Sequence, residues 1–176
     1  MKKNRRLIQV LILSTVVVIT AITIAGNLFS EKDELPTEGS KAPNFTLRTL
    51  DGGHHQLKDF EGHPVIINFW GTFCEPCVNE MPLIQSYYET YKDQGLVVLG
   101  INLNEAEATV RAFVREHGIT FPILMDNDRI RRNYGVMYYP TTFFVGPDGV
   151  IQDIFIGELK DSTLSVRVNR LLSSNG

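Results

Sequence analysis

The order of apolar runs along the chain predicts an α/β fold, with a mixed central β-sheet flanked by helices. Three observations carry this reading. Val65–Trp70 and Leu96–Leu103 are short, nearly continuous apolar runs, the kind that fills a sheet buried on both faces. Stretches with helical spacing alternate with these runs early in the body. The chain then ends in two apolar runs, Thr141–Val145 and Val150–Ile156, joined by Gly146-Pro147-Asp148-Gly149 and followed by a helical stretch. Strands joined partly by helices and partly by tight turns require both parallel and antiparallel neighbours.

Each element has its own signal. Phe45–Leu47 and His55–Leu57 flank Asp51-Gly52-Gly53 and predict an N-terminal β-hairpin. Val65–Trp70 is the central strand, and the helix after it runs from the cysteines to about Lys92. Leu96–Leu103 is the next strand. Glu105–His117 is a helix with Ala106, Val110, Phe113, Val114 and His117 on one face, acidic residues leading and Gly118 following. Phe121–Met125 reads as a short strand, Asp128–Tyr134 as a short helix ended by Gly135, and Asp161–Leu172 as the closing helix.

Ahead of this body lies an appendage. Lys2, Lys3, Arg5 and Arg6 are the only charged residues before Glu31, and the 23 residues Leu7–Phe29 carry no charge. As a helix that length spans about 34 Å against a hydrocarbon core of about 30 Å. The basic flank places the N-terminus (1–6) in the cytoplasm, residues 7–29 across the membrane as an uncleaved signal-anchor, and the body outside the cytoplasm. A cleaved signal peptide shares the basic start, but the nearest small-residue site, Thr23-Ile24-Ala25, matches an A-x-A pattern poorly. Residues 30–40 are polar, carry Pro36 and Gly39, and read as a linker to a domain at 41–176. Taking the four leading basic residues from the total of 17 leaves 13 against 20 acidic ones, a net of −7. So acidic a body does not suit nucleic acid.

The chemistry concentrates at Cys74-Glu75-Pro76-Cys77, the only two cysteines. They follow a predicted strand and open a predicted helix. Three-residue spacing on a first helical turn brings both sulfurs to one side, within the roughly 4.4–6.8 Å Cα separation a disulfide needs. The helix N-terminus supplies free N–H groups and partial positive charge, worth about 0.3–1 kcal/mol toward a thiolate. Pro76 is tolerated there because first-turn N–H groups lack helical partners. Cys74, at the helix start, is the expected attacking thiol. Cys77, one turn in, is expected to be more buried and to resolve the mixed disulfide. A zinc site would need further ligands, and His54, His55, His63 and His117 lack paired spacing, so no metal is expected. A structural disulfide over so small a loop stabilises little. An inert reduced pair is the remaining alternative.

The segment Asn68-Phe69-Trp70-Gly71-Thr72-Phe73-Cys74-Glu75-Pro76-Cys77 resembles the thioredoxin superfamily, and within it the membrane-tethered TlpA/ResA-like branch. The resemblance runs from about Gly39 to Leu172. Ala42-Pro43-Asn44-Phe45-Thr46-Leu47 is similar to that branch's opening, which peroxiredoxins share. Pro82 falls where the active-site helix is kinked, Tyr139-Pro140-Thr141-Thr142-Phe143 looks like the cis-proline loop, and Leu103–Pro122 resembles the branch's central βα insertion. The resemblance implies a thioredoxin-like fold, a redox-active Cys74–Cys77 disulfide, and a dithiol–disulfide cycle without a cofactor. It further implies disulfide-bearing protein partners, apocytochrome c with its haem-binding cysteines foremost, and a membrane thiol carrier as electron donor. Related members serve spore-envelope assembly.

Two departures from thioredoxin bear on mechanism. The buried Asp six residues before the first Cys is here Asn68, so no acid stands at that position. Glu80, three residues after Cys77 on the same helical face, is implied by the branch to take over as proton acceptor; on sequence alone it is equally a solvated helix residue. Glu75 and Glu80 together should oppose thiolate formation, making Cys74 less acidic than a typical thioredoxin nucleophile. Pro140 and Tyr139 are expected to pair with an extended substrate segment. Trp70 and Phe73 form either an apolar rim for substrate or part of the packing, and Tyr138 and Tyr139 share that ambiguity.

Other functions compete. A peroxidase of the peroxiredoxin type would carry Thr or Ser three residues before the attacking Cys, where Gly71 stands. A non-catalytic membrane-tethered holdase for apoproteins would survive loss of both cysteines. An oxidase is open on motif alone, since C-x-x-C proteins span potentials from about −270 to −120 mV.

Overall fold

A computed structural model describes residues 12–21 and 35–173. These fall in two separate units, one within Met1–Glu34 and one from Leu35 onward. Residues 12–21 form a helix (α1) with exposed side chains. The rest of the span expected over 7–29, and the basic segment 1–6, lie outside the described residues. Among the described residues no helix is long and apolar enough to cross a membrane.

The second unit is built on the apolar runs. Its strands are β1 (Thr46–Thr49), β2 (His54–Gln56), β3 (Val65–Trp70), β4 (Val97–Leu103), β5 (Ile123–Asp126), β6 (Thr141–Val145) and β7 (Ile151–Ile156). Its helices are α2 (Glu75–Tyr91), α3 (Glu107–Glu116), α4 (Arg129–Asn133) and α5 (Asp161–Ser173). The strands form one sheet in the order β2-β1-β5-β4-β3-β6-β7. β3, β4 and β5 run parallel, while β6 and β7 return antiparallel and the β1–β2 hairpin joins antiparallel to β5. The predicted mixed sheet and N-terminal hairpin are therefore present, and the stretch Leu103–Pro122, expected as the central insertion, runs from the end of β4 through α3 to the start of β5.

β3 is buried along all 6 residues, as its apolar run requires. Its side chains alternate between the two faces. Ile66 and Trp70 join Cys77, Met81 and Ile84 of α2, Val110 and Phe113 of α3, and Leu164 and Val168 of α5 in one core. Val65, Ile67 and Phe69 join Leu99, Ile101, Phe143, Ile130 and Tyr134 in the other. The longer helices thus cover one face, and α4 with the 3-10 turn Leu57–Phe60 covers the opposite one.

Three expectations are adjusted. Leu57 leaves the hairpin to start the 3-10 turn, whose capping box with Gln56 and Asp59 takes up the backbone. Ala106 is exposed because it is the N-cap of α3 in extended conformation, off the helical periodicity. The described end of the expected linker is not a free tether: Gly39 N–H donates to Ile151, Ile151 N–H donates to Ser40, and Lys41 bridges to Val150 at the sheet edge.

Candidate active site

The two cysteines sit where β3 hands over to α2. Cys74 is the N-cap of α2, in extended conformation, and its Sγ accepts the N–H of Cys77 at 3.3 Å. The side chain therefore fills the capping role that Ser or Asp often takes, and the sulfur lies among the free N–H groups of the first turn. Pro76 falls inside that first turn without costing a helical hydrogen bond. Cys74 and Cys77 form a disulfide with a Cα separation of 5.2 Å. Cys74 keeps 9% of its surface accessible while Cys77 has none, which orders the two sulfurs as the sequence anticipated. Glu75 projects into solvent.

Glu80, one helical turn beyond Cys77, is not a solvated residue: it is 1% exposed. Its carboxylate accepts from Asn68 Nδ2 at 2.8 Å and from the backbone N–H of Leu159 at 2.7 Å. Burial pushes its pKa up to about 7 against those two hydrogen bonds, with the nearby Glu158 adding to the rise. Asn68 reaches Glu80 because it shares the α2 face of β3 with Ile66 and Trp70. Its Nδ2 also donates to Thr142 Oγ1 at 3.0 Å, and Asn68 and Thr142 are direct cross-strand partners of β3 and β6. Asn68 Oδ1 is buried without a hydrogen-bond partner.

The Tyr139–Pro140 peptide is cis and directly precedes β6. Phe73, 64% exposed, meets Tyr139 edge-on at 6.3 Å. Tyr138 and Met137 are exposed beside it. Trp70 corrects the expectation of a substrate contact. It is fully buried and packs on Phe113 at 5.1 Å, because it is the last residue of β3, a strand covered on both faces, whereas Phe73 lies past the strand end.

A second carboxylate holds the loop before Cys74. Glu105 accepts from the Thr72 N–H at 2.8 Å, from the Thr72 hydroxyl, and from Asn102 Nδ2 at 2.7 Å. Sequence reasoning placed Glu105 only as a helix start. The available signal was its position just past the carboxyl end of β4, where open α/β sheets collect their functional groups. Thr142 was legible only once the β3–β6 register was known, and the Leu159 backbone contact has no sequence signal. Gly71 has a steric reason: a Cβ there would meet the Phe73 ring at 2.4 Å. The Thr or Ser of a peroxidase site could not stand there without displacing Phe73.

Comparison with known proteins agrees with this geometry. Residues 39–154 match the AhpC/TSA family. The chain is 39% identical over 161 residues to the thiol-disulfide oxidoreductase ResA of Geobacillus thermodenitrificans, covering 90% of this chain and 92% of that one. It is 36% identical over 171 residues to ResA of Bacillus subtilis, covering 96% and 95%. The crystal structure of a thiol:disulfide interchange protein DsbE from Chlorobium tepidum superposes with a TM-score of 0.73 at 26% identity, covering 80% of this chain and 99% of that one. With a C-x-x-C disulfide capping the helix that follows the central strand, the chain belongs to the AhpC/TSA family and, within the thioredoxin superfamily, to the ResA-type thiol–disulfide oxidoreductases.

Proposed function

We propose that this oxidoreductase works as a protein-disulfide reductase outside the cytoplasm, held to the membrane by residues 7–29 with the N-terminus inside. Cys74 as nucleophile, Cys77 as resolving thiol and Glu80 as proton acceptor form its working set. The observation that carries the reading is the buried Glu80 carboxylate on the same helical face as Cys77, with its pKa raised to about 7. A base poised near neutrality suits a proton relay to a thiol.

The cycle balances as follows. The Cys74 thiolate attacks one sulfur of the substrate disulfide, forming a mixed disulfide and releasing the other substrate sulfur as a thiolate. Cys77 gives its proton to Glu80, and its thiolate attacks Cys74 Sγ. The Cys74–Cys77 bond forms, and the second substrate sulfur leaves and takes up the proton held by Glu80. Two electrons pass from protein to substrate, and a membrane thiol carrier returns them. Tyr139 and Pro140, with exposed Phe73 beside them, offer the surface along which an extended substrate segment lies.

The family resemblance directs the substrate assignment to the haem-binding cysteines of apocytochrome c. The test is a trap: with Cys77→Ala in cells, the Cys74 mixed disulfide persists and its partner is identified by mass spectrometry. Recovery of apocytochrome c is the expected result. A spore-envelope or cell-wall protein in its place moves the assignment to that substrate. Unimpaired function of a Cys74→Ala/Cys77→Ala chain leaves only the holdase role.

A further inference from the structure

The centre of the Glu80 network is a group with one end fully used and the other unused. Asn68 Nδ2 has two hydrogens and gives both away, to Glu80 Oε1 and to Thr142 Oγ1. Its Oδ1, buried in a residue with no exposed surface, accepts nothing. Leaving a buried acceptor unmade costs about 1–3 kcal/mol, so the orientation must be held by its other end. An ionised carboxylate offers acceptors only, and that fixes the nitrogen toward Glu80.

We propose that Asn68 is a two-position amide: when Glu80 takes up a proton, the side chain turns over and presents Oδ1 to the Glu80 O–H and the Thr142 O–H. The count of hydrogen bonds made is then conserved, and the unpaired end of the amide changes from Oδ1 to Nδ2. With Glu80 ionised there are three: Nδ2 to Glu80, Nδ2 to Thr142, and Leu159 N–H to Glu80 Oε2. With Glu80 protonated on Oε1, the Glu80 hydroxyl and the Thr142 hydroxyl both donate to Oδ1, and the Leu159 bond stays. The loop between β7 and α5 is thus not released when the proton arrives. Asn68 is a positioning residue that keeps the carboxyl in place through both protonation states. An Asp at 68 could not do so, since it would add a second buried anion beside the first.

The groups facing Glu80 from each packed element are few. Cys77 stands on its own helix, Asn68 comes from β3 with Thr142 of β6 behind it, and Leu159 comes from the β7–α5 loop. Among the described residues, Glu158 of that loop is the further charge acting on Glu80, and it is itself paired with Lys160. A turnover driven by Glu80 is therefore distinguishable from one driven by Glu158.

The inference rests on Glu80 as proton acceptor, yet its test needs neither substrate nor turnover. The oxidised full-length chain, isotope-labelled, is followed by NMR from about pH 5 to about pH 9, a range spanning the raised carboxyl. The expected result is a cross-relaxation signal between the Asn68 side-chain NH2 and the Thr142 methyl that is strong at high pH. It falls several-fold at low pH, with its midpoint at that of the Glu80 carboxyl carbon. In Glu80→Gln the signal is independent of pH, and in Glu158→Gln the switch persists. A signal retained unchanged across the range, or pH dependence surviving in Glu80→Gln, overturns the proposal. Either outcome leaves disulfide reduction standing, whereas a chain that fails to reduce any protein disulfide refutes the proposed function alone.

Discussion

Replacing Glu80 by Gln removes a titration whose cost to the fold follows from its surroundings. The carboxyl ionises near 4.5 when unfolded and near 7 when folded, chiefly because burial strips its water. Below the lower value it is protonated in both states, and its contribution to stability is complete. Between the two values the folded state holds a proton that the unfolded state has lost, so stability falls as pH rises. Above the folded value both states are ionised and the loss is complete. Each pH unit in the interval is worth about 1.36 kcal/mol, so the loss amounts to about 3 kcal/mol.

Gln keeps the length of the side chain and an oxygen for the Leu159 N–H, and it does not titrate. Urea unfolding of the oxidised chains at a series of pH values is the assay. The exposed carboxylates Glu89 and Glu107, held low by Lys92 and by Arg48 with Arg111, titrate identically in both chains and cancel in the difference. The wild-type stability minus that of Glu80→Gln should fall by about 3 kcal/mol as pH rises through the interval and then level. With m of about 1–3 kcal/mol/M, that moves the relative midpoint by about 1–3 M urea. A difference that is flat, or that rises with pH, refutes the account of Glu80 as a buried carboxyl held against its own desolvation.

Three further outcomes follow from the same site. In the reduced protein, thiolate absorbance should place the Cys74 pKa lower in Glu80→Gln than in wild type, because a carboxylate near the sulfurs disfavours a second negative charge; an unchanged titration removes Glu80 as the cause. Glu105→Ala deprives the Thr72 N–H and hydroxyl and the Asn102 amide of their acceptor, and should cost about 1–3 kcal/mol, read as a lower Tm with slower disulfide reduction. Gly71→Ala drives a methyl group to 2.4 Å from the Phe73 ring, so Phe73 must leave Tyr139. Its KM for a protein disulfide should rise more than its kcat changes, while an unaltered KM would take Phe73 off the substrate surface.

What the sequence made legible follows burial that local pattern determines. Val65–Trp70 announced itself as a central strand because apolar residues on both faces leave no other solution, and Asn68 inside it was legible only as a position without an acid. The handover to a helix at Cys74 was equally local, fixed by spacing and first-turn chemistry. Glu80 was different. A carboxylate on a helix is ordinarily solvated, and nothing within a turn of it says otherwise. It is buried all the same, and Leu159, 79 residues away, brings its backbone N–H to the carboxylate there. Trp70 and Phe73 looked equivalent as aromatics flanking the motif. Only the end of β3, a strand covered on both faces, falling between them leaves one in the core and the other in solvent.

The same distinction explains why Asn68 and Glu80 belong together. The two side chains are in hydrogen-bond contact across the β3–α2 interface, in a volume with almost no solvent access. One ionisable group there is sustained by two donors, Asn68 Nδ2 and the Leu159 N–H. Two carboxyls would either share a proton or force a pair of anions into the same low-dielectric space. An acid at position 80 therefore favours a neutral side chain at 68, and the amide is the neutral side chain that donates to an anion with one end and accepts from an acid with the other. Read locally, Asn68 is the loss of a proton acceptor. In the fold, it is the residue that lets the acceptor stand twelve positions further on.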